Sequence, residues 1–249
     1  MGTKEYLYDL FVHDLAGPLS VAATTARGLL SRMEAYGPLT EQQKQCLERI
    51  ERNTKKAQVI LKEILDVGRS EEHLFQANEF FVQALVKDAL LNVMEILDAS
   101  VAERLENLQD PEAAWNILRE QGVFVRITGK YSVSPFFHDR RKVQLILENL
   151  MSNALKYRKT KLDVSISGET DLVILVSDDG CGIPKNEQEI MYKRFMQLKH
   201  EELRQAQGFG LGLFCVKALV ESMGGEIAVM SGEDCGTTFT VRISPLHAR

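Results

Sequence analysis

No stretch of the 249 residues approaches the roughly 20 apolar residues that a bilayer-crossing helix requires, and the densest short run, residues 172–176, is strand-sized. Membrane insertion by this chain is therefore not expected. Cysteine is sparse: Cys46, Cys181, Cys215 and Cys235 are scattered, without a C-x-x-C pair or a histidine cluster. Neither a disulfide framework nor a zinc site is suggested, and reduced, structural thiols are expected. Positive charge is also short, 30 Lys and Arg against 35 Asp and Glu for a net −5, so a phosphate-tracking surface for nucleic acid is not expected. The amino terminus lacks the basic-then-apolar layout of a secretion signal, and Tyr6 stands where a myristoylation signal wants Ser or Thr. These absences predict a cytoplasmic protein.

What is present is a globular composition with two textures. Up to residue 72 the pattern is helical. Leu15, Leu19, Ala22, Ala26, Leu29 and Met33 recur in steps of three and four, which keeps them on one stripe. Gly37, Pro38 and Thr40 supply a stop, a break and an N-cap, and Leu47, Ile50, Thr54, Ala57, Leu61 and Ile64 repeat the spacing on a return helix. One hairpin covers two such stripes poorly, and a four-helix homodimer buries them better. From Glu79 onward strands at 80–82, 123–127, 163–166, 172–176, 226–229 and 237–243 alternate with helices at 83–107, 139–157 and 211–223. The fold class expected is α+β: a helical hairpin over residues 1–72, then an α/β sandwich over 73–249.

His13 lies nine residues from Ala22, about half a turn away from the apolar stripe, so its imidazole is expected to face solvent. Near its reference pKa such a ring is partly neutral and nucleophilic, and Asp14 is the adjacent proton acceptor. Pro18 inside the helix removes a backbone bond and predicts a bend near His13. Further on, Asn149, Asn153 and Lys156 share one flank of a helix whose apolar face is Val143, Leu147, Leu150 and Ala154. Amide oxygens suit a Mg²⁺ ion that already bridges phosphates, and Lys156 offsets phosphate charge.

Asp178 ends the apolar strand and is followed by Gly180, Cys181 and Gly182. A carboxylate accepts hydrogen bonds and donates none, so it suits the exocyclic amine of adenine and disfavours the carbonyl of guanine. The glycines allow close backbone approach. Gly208, Gly210, Leu211 and Gly212 open the helix that runs to Met223, where exposed N–H groups favour a triphosphate. Leu213 stands where a dinucleotide fingerprint needs glycine, and no Gly-Lys-Ser/Thr follows, so dinucleotide and P-loop sites are excluded.

Residues 11–19, Phe-Val-His-Asp-Leu-Ala-Gly-Pro-Leu, resemble the H-box of sensor histidine kinases. Residues 148–157, 176–184 and 208–213 are similar to the N, G1 and G2 boxes of the Bergerat-type (GHKL) ATPase domain that follows it in that family, and residues 192–195 to the F-box of its ATP lid. The resemblance spans nearly all of residues 6–244. It implies an ATP-dependent protein kinase that autophosphorylates His13 and passes the phosphoryl group to an aspartate of a response regulator. It further implies Asn153 as principal Mg²⁺ ligand with Asn149 as helper, Tyr157 near the base or sugar, and Arg194 near the phosphates.

The alternative is a non-catalytic signalling scaffold or phosphotransfer dimer with a degenerate ATPase domain. Gly17 stands where many members carry a Thr or Asn thought to orient water for phosphatase activity, so that activity is expected to be weak. Only 12 residues precede His13, which leaves sensory input to a longer chain or to a separate sensor protein. Cys181 is expected to be inert. Residues 98–122, with Trp115, lengthen one connection and predict an extra helix or two.

Overall fold

A computed structural model describes residues 3–31, 37–70, 75–97, 101, 104–105, 111–188, 190–192 and 212–246. In the two long amino-terminal helices, side chains are described for residues 15–31, 41–51, 53, 54, 57, 58 and 61. The chain divides into two compact units, Met1–Arg69 and Ser70–Arg249.

The first unit pairs α1 (Thr3–Ser31) with α2 (Glu41–Ser70). Helix α1 runs unbroken through Pro18. Gly37 takes a positive φ of 85°, and Thr40 then starts α2 with a reciprocal cap. Its hydroxyl accepts from the Gln43 N–H at 3.2 Å, and the Gln43 side chain accepts from the Thr40 N–H at 2.9 Å, which satisfies two otherwise orphaned donors. The arms are tied by Arg27 to Glu51 at 2.9 Å and Gln58 to Ser20 at 3.1 Å. Both contacts are exposed and worth at most about 1 kcal/mol each. Of the expected stripe, Ala26 is buried, with Ala23 and, from α2, Thr54, whereas Leu15, Val21 and Ile50 are exposed. Two helices shield only their facing residues, so Leu15, Val21 and Ile50 stay outside this contact while Leu19, Leu29, Leu47 and Leu61 are half-buried.

The second unit carries a five-stranded mixed sheet in the order β2 (Val123–Ile127), β4 (Leu162–Ser167), β5 (Leu172–Asp178), β7 (Thr237–Ile243), β6 (Glu226–Ser231). The β2–β4 pair is parallel and the other three are antiparallel. Side chains alternate across a strand, so Leu162, Val164, Ile166, Leu172, Ile174, Val176, Phe239, Val241 and Ile243 form one buried row set. Helices α3 (Val82–Leu97), α5 (Arg140–Tyr157) and α7 (Gly212–Ser222) contribute Leu85, Leu90, Leu147, Leu150, Val216 and Leu219 to the same core. Helix α5 packs between α3 and α7, and a short α6 (Lys185–Gln188) follows β5.

Several boundaries differ from the sequence expectation. The first strand, β1, is Ala77–Phe80 rather than 80–82, because Val82 already begins α3. It pairs antiparallel with β3 (Phe136–Asp139), a strand the sequence pattern did not disclose. Asp139 is then the N-cap of α5 and not its first turn: Oδ1 accepts from the Lys142 N–H at 3.1 Å and Oδ2 from the Gln76 N–H at 3.1 Å. Helix α3 is described to Leu97, residues 98–100 of the expected run to 107 lie outside the described residues, and an extra helix, α4 (Pro111–Glu120), packs against β2. Trp115 of α4 is partly buried against the core, which gives this segment a packing role.

Candidate functional site

Strand β5 delivers Asp178 at its carboxyl end on the helix-covered face, because Asp178 continues the row of Leu172, Ile174 and Val176. Its Oδ1 accepts from the Gly180 N–H at 2.9 Å. Burial raises the carboxyl above its ordinary range; the N–H groups of Gly180 and Thr237 oppose the rise, and neighbouring Asp179 adds to it. A partly desolvated acceptor at a strand end is well suited to bind a neutral N–H donor.

The glycines around it are steric necessities. A Cβ on Gly180 would stand 2.3 Å from the Tyr157 carbonyl oxygen and 2.7 Å from Asp178 Oδ1. Gly182 has φ 77°, and a Cβ there would fall 1.8 Å from the Gly232 oxygen in the β6–β7 turn. That turn backs Asp178: the Asp234 N–H donates to the Cys181 carbonyl at 2.8 Å, and a Cβ on Gly236 would strike the Asp178 carbonyl oxygen. Cys181 itself is half-buried, and burial, with Asp178 and Asp234, pushes its thiol up. It stays protonated near neutrality, a poor nucleophile.

Helix α5 contributes Asn149 and Asn153. The Asn149 amide donates to the Leu145 carbonyl at 2.9 Å, which leaves its Oδ1 beside Gly212, the first residue of α7. A Cβ on Gly212 would stand 2.8 Å from that oxygen and 3.9 Å from Asn153 Nδ2. The absent side chain thus leaves open the space where a helix amino terminus meets two amides, a setting for phosphate. Among the described residues no three His, Cys, Asp or Glu side chains are grouped to hold a metal unaided. Amide oxygens completed by phosphate oxygens fit a hard divalent cation without such a group.

Tyr157 closes the carboxyl end of α5, partly exposed, its hydroxyl pushed up by burial and then by Cys181. Lys156 lies in the same last turn. Of the expected set, the fold sets Asn149 and Asn153 beside Gly212, and Tyr157 beside Gly180 and Asp178. Gly208, Gly210, Leu211 and Arg194 lie outside the described residues. His13 and Asp14 sit on α1 of the other unit, where side chains are described only from residue 15, so the orientation expected for His13 lies outside the description.

One residue the sequence reading passed over is Asp179. Its carboxylate accepts from the N–H groups of Lys159, Thr160 and Lys161 at 2.9, 3.0 and 2.9 Å, and from the Thr160 hydroxyl at 2.6 Å. Burial alone would raise this acid, but those donors outweigh it and hold it well below the usual carboxylate range. Nothing in the local sequence marks Asp179 as an anchor, because its partners lie about twenty residues away in the chain.

Residues 11–73 match the family described as His Kinase A (phospho-acceptor) domain, and residues 138–247 match Histidine kinase-, DNA gyrase B-, and HSP90-like ATPase. The circadian input-output histidine kinase CikA of Synechococcus elongatus is 31% identical over 236 residues, covering 93% of this chain and 28% of that protein. Histidine protein kinase DivJ of Caulobacter vibrioides is 31% identical over 239 residues, 95% of this chain and 36% of DivJ. The chain thus spans about a third or less of the length of these relatives. In fold it is similar to full-length ShkA solved with AMPPNP, at TM-score 0.68 and 17% identity, covering 98% of this chain and 47% of ShkA. Among the described residues no helix is long and apolar enough to cross a membrane.

Proposed function

Since this chain belongs to the histidine kinases, as a phospho-acceptor domain followed by a GHKL-type ATPase domain, we propose that it binds ATP and autophosphorylates on His13. The observation that carries the reading is a pair of close settings along α5: Gly212 against Asn149 and Asn153, and Gly180 between Tyr157 and Asp178. Asp178 accepts the exocyclic amine of adenine, which favours ATP over GTP. Tyr157 packs against the base or sugar, and Gly180 and Gly182 let the backbone approach it. Asn153, aided by Asn149, holds Mg²⁺, which when bound neutralises phosphate charge. Lys156 offsets the remainder, and Gly208, Gly210, Leu211 and Gly212 present N–H groups to the triphosphate.

The His13 imidazole attacks the γ-phosphorus, the bond to the β-bridging oxygen breaks, ADP leaves, and Asp14 takes the imidazole proton. An aspartate of a response regulator then receives the phosphoryl group. Exposure of Leu15, Val21 and Ile50 supports the homodimer, in which a second hairpin covers them. Gly17 offers no group to orient water, so dephosphorylation of the regulator is weak.

Incubation with γ-labelled ATP and Mg²⁺ tests this reading. The label should be acid-labile, base-stable and lost in His13→Gln. Tight nucleotide binding without labelled protein would replace it with the scaffold reading, and free phosphate alone with a plain ATPase.

A further inference from the structure

Asp178 and Asp179 are consecutive carboxylates with separate surroundings. The strand turns the first toward the helices, and the second enters the loop that follows α5. Residues 158–161 wrap that second carboxylate: three successive N–H groups and one hydroxyl converge on it, and the Asp179 N–H returns to the Lys161 carbonyl at 3.4 Å. The loop begins where α5 ends, since the Arg158 N–H still donates to the Ala154 carbonyl at 2.9 Å. Within one residue on either side stand Asp178 and Gly180, and Gly180 lies so close to the end of α5 that a Cβ there would stand 2.3 Å from the Tyr157 carbonyl oxygen. The Tyr157 edge and the Asp178 acceptor are thereby joined through a single carboxylate.

We infer that Asp179 is a positioning residue for the nucleotide: it fixes the end of α5, with Lys156 and Tyr157, against the Asp178–Gly180 corner, without touching the ligand. This rests on the ATP-binding reading above. The physical reason is preorganisation. A loop of four residues left without its central acceptor loses four hydrogen bonds and several alternative conformations open to it, and the spacing between purine wall and purine acceptor widens. The carboxylate is held in its charged form by the same donors, so the anchor persists across the neutral range.

The test measures binding of trinitrophenyl-ATP with Mg²⁺ to the full chain. Three variants are compared with wild type: Asp179→Ala, Asp179→Asn and Asp139→Ala. Asp139 caps the opposite end of α5, so its loss destabilises the same helix away from the corner. Asp179→Ala is expected to weaken binding by about tenfold or more, and Asp179→Asn, which keeps an acceptor oxygen, to recover most of that loss. Asp139→Ala is expected to lower the melting temperature and leave affinity within about twofold.

Equal affinity in Asp179→Ala and wild type overturns the inference, as does an equal loss in Asp139→Ala. Should Asp179→Ala fail to fold, Thr160→Val, which removes one donor, is read instead; a loss of about threefold supports the assignment and no loss overturns it. A wild-type chain that binds no nucleotide overturns the ATP-binding reading itself, and this inference with it.

Discussion

Gly212 at the start of α7 faces the Asn149 side chain of α5 so closely that a single added methyl would stand 2.8 Å from the amide oxygen. The neighbour cannot yield without cost, because its amide nitrogen is already committed to the Leu145 carbonyl. Gly212→Ala should therefore displace Asn149. We expect nucleotide affinity to fall by about tenfold, while alanine's better helix propensity keeps the change in stability within about 1 kcal/mol. Parallel measurement of ligand affinity and melting temperature checks the split.

Asp178 carries a conflict between stability and binding. Burial disfavours its charge, so folding of the nucleotide-free chain gains when that charge is removed. Asp178→Asn is expected to melt a few degrees higher than wild type without ligand, the scale of about 1 kcal/mol in a domain of this size. The same variant should lose ATP-dependent stabilisation and histidine labelling. Thermal melts with and without ATP and Mg²⁺ report both effects.

His138 predicts an acid limb in stability. It is fully buried, its Nδ1 accepts from the Asp139 N–H at 2.7 Å, its ring stacks on Phe136, and its Nε2 has no hydrogen-bond partner among the described residues. Burial, opposed by Asp139 and aided by Lys142, lowers its pKa to about 4. Above pH 6.5 the ring is neutral in both states and its contribution is complete. As pH falls from 6.5 toward 4 the unfolded chain takes up the proton first, and stability is lost. Denaturant melts should show His138→Gln less stable than wild type at pH 7, with the gap narrowing by pH 4.

Gly17 tests the proposed lack of phosphatase activity. It is exposed, and a Cβ there meets no atom within 4 Å, so a larger residue fits without displacement. Gly17→Thr or Gly17→Asn should raise the rate of phosphate loss from the phosphorylated regulator by about tenfold in the presence of ADP. His13 labelling should be retained. An unchanged rate would remove Gly17 as the reason for weak dephosphorylation.

Much of the architecture was legible because it rests on local chemistry. The helical hairpin followed from apolar spacing and from the Gly37 and Thr40 signals, which act over four residues. Strands β4 and β7 followed from alternation, β5 from its continuous apolar run at 172–176, and Asp178 from its place at a strand end beside two glycines. Strand β3 escaped notice because four residues pairing with a distant segment leave no period of their own, and Asp139 reads equally as cap or first turn. Asp179 escaped for a related reason: its donors come from residues 159–161.

The amino-acid order alone thus determined two textures, the motif residues and the chemistry each side chain brings. Periodicity, capping and donor–acceptor character are properties of neighbours in the chain. Tertiary structure alone decided which loop the second of the two adjacent aspartates anchors. It also set Gly212 against Asn149 and turned the β6–β7 hairpin into the wall behind Asp178. Those outcomes depend on contacts between segments far apart in sequence, whose distances exist only once the sheet has paired and α5 has packed upon it.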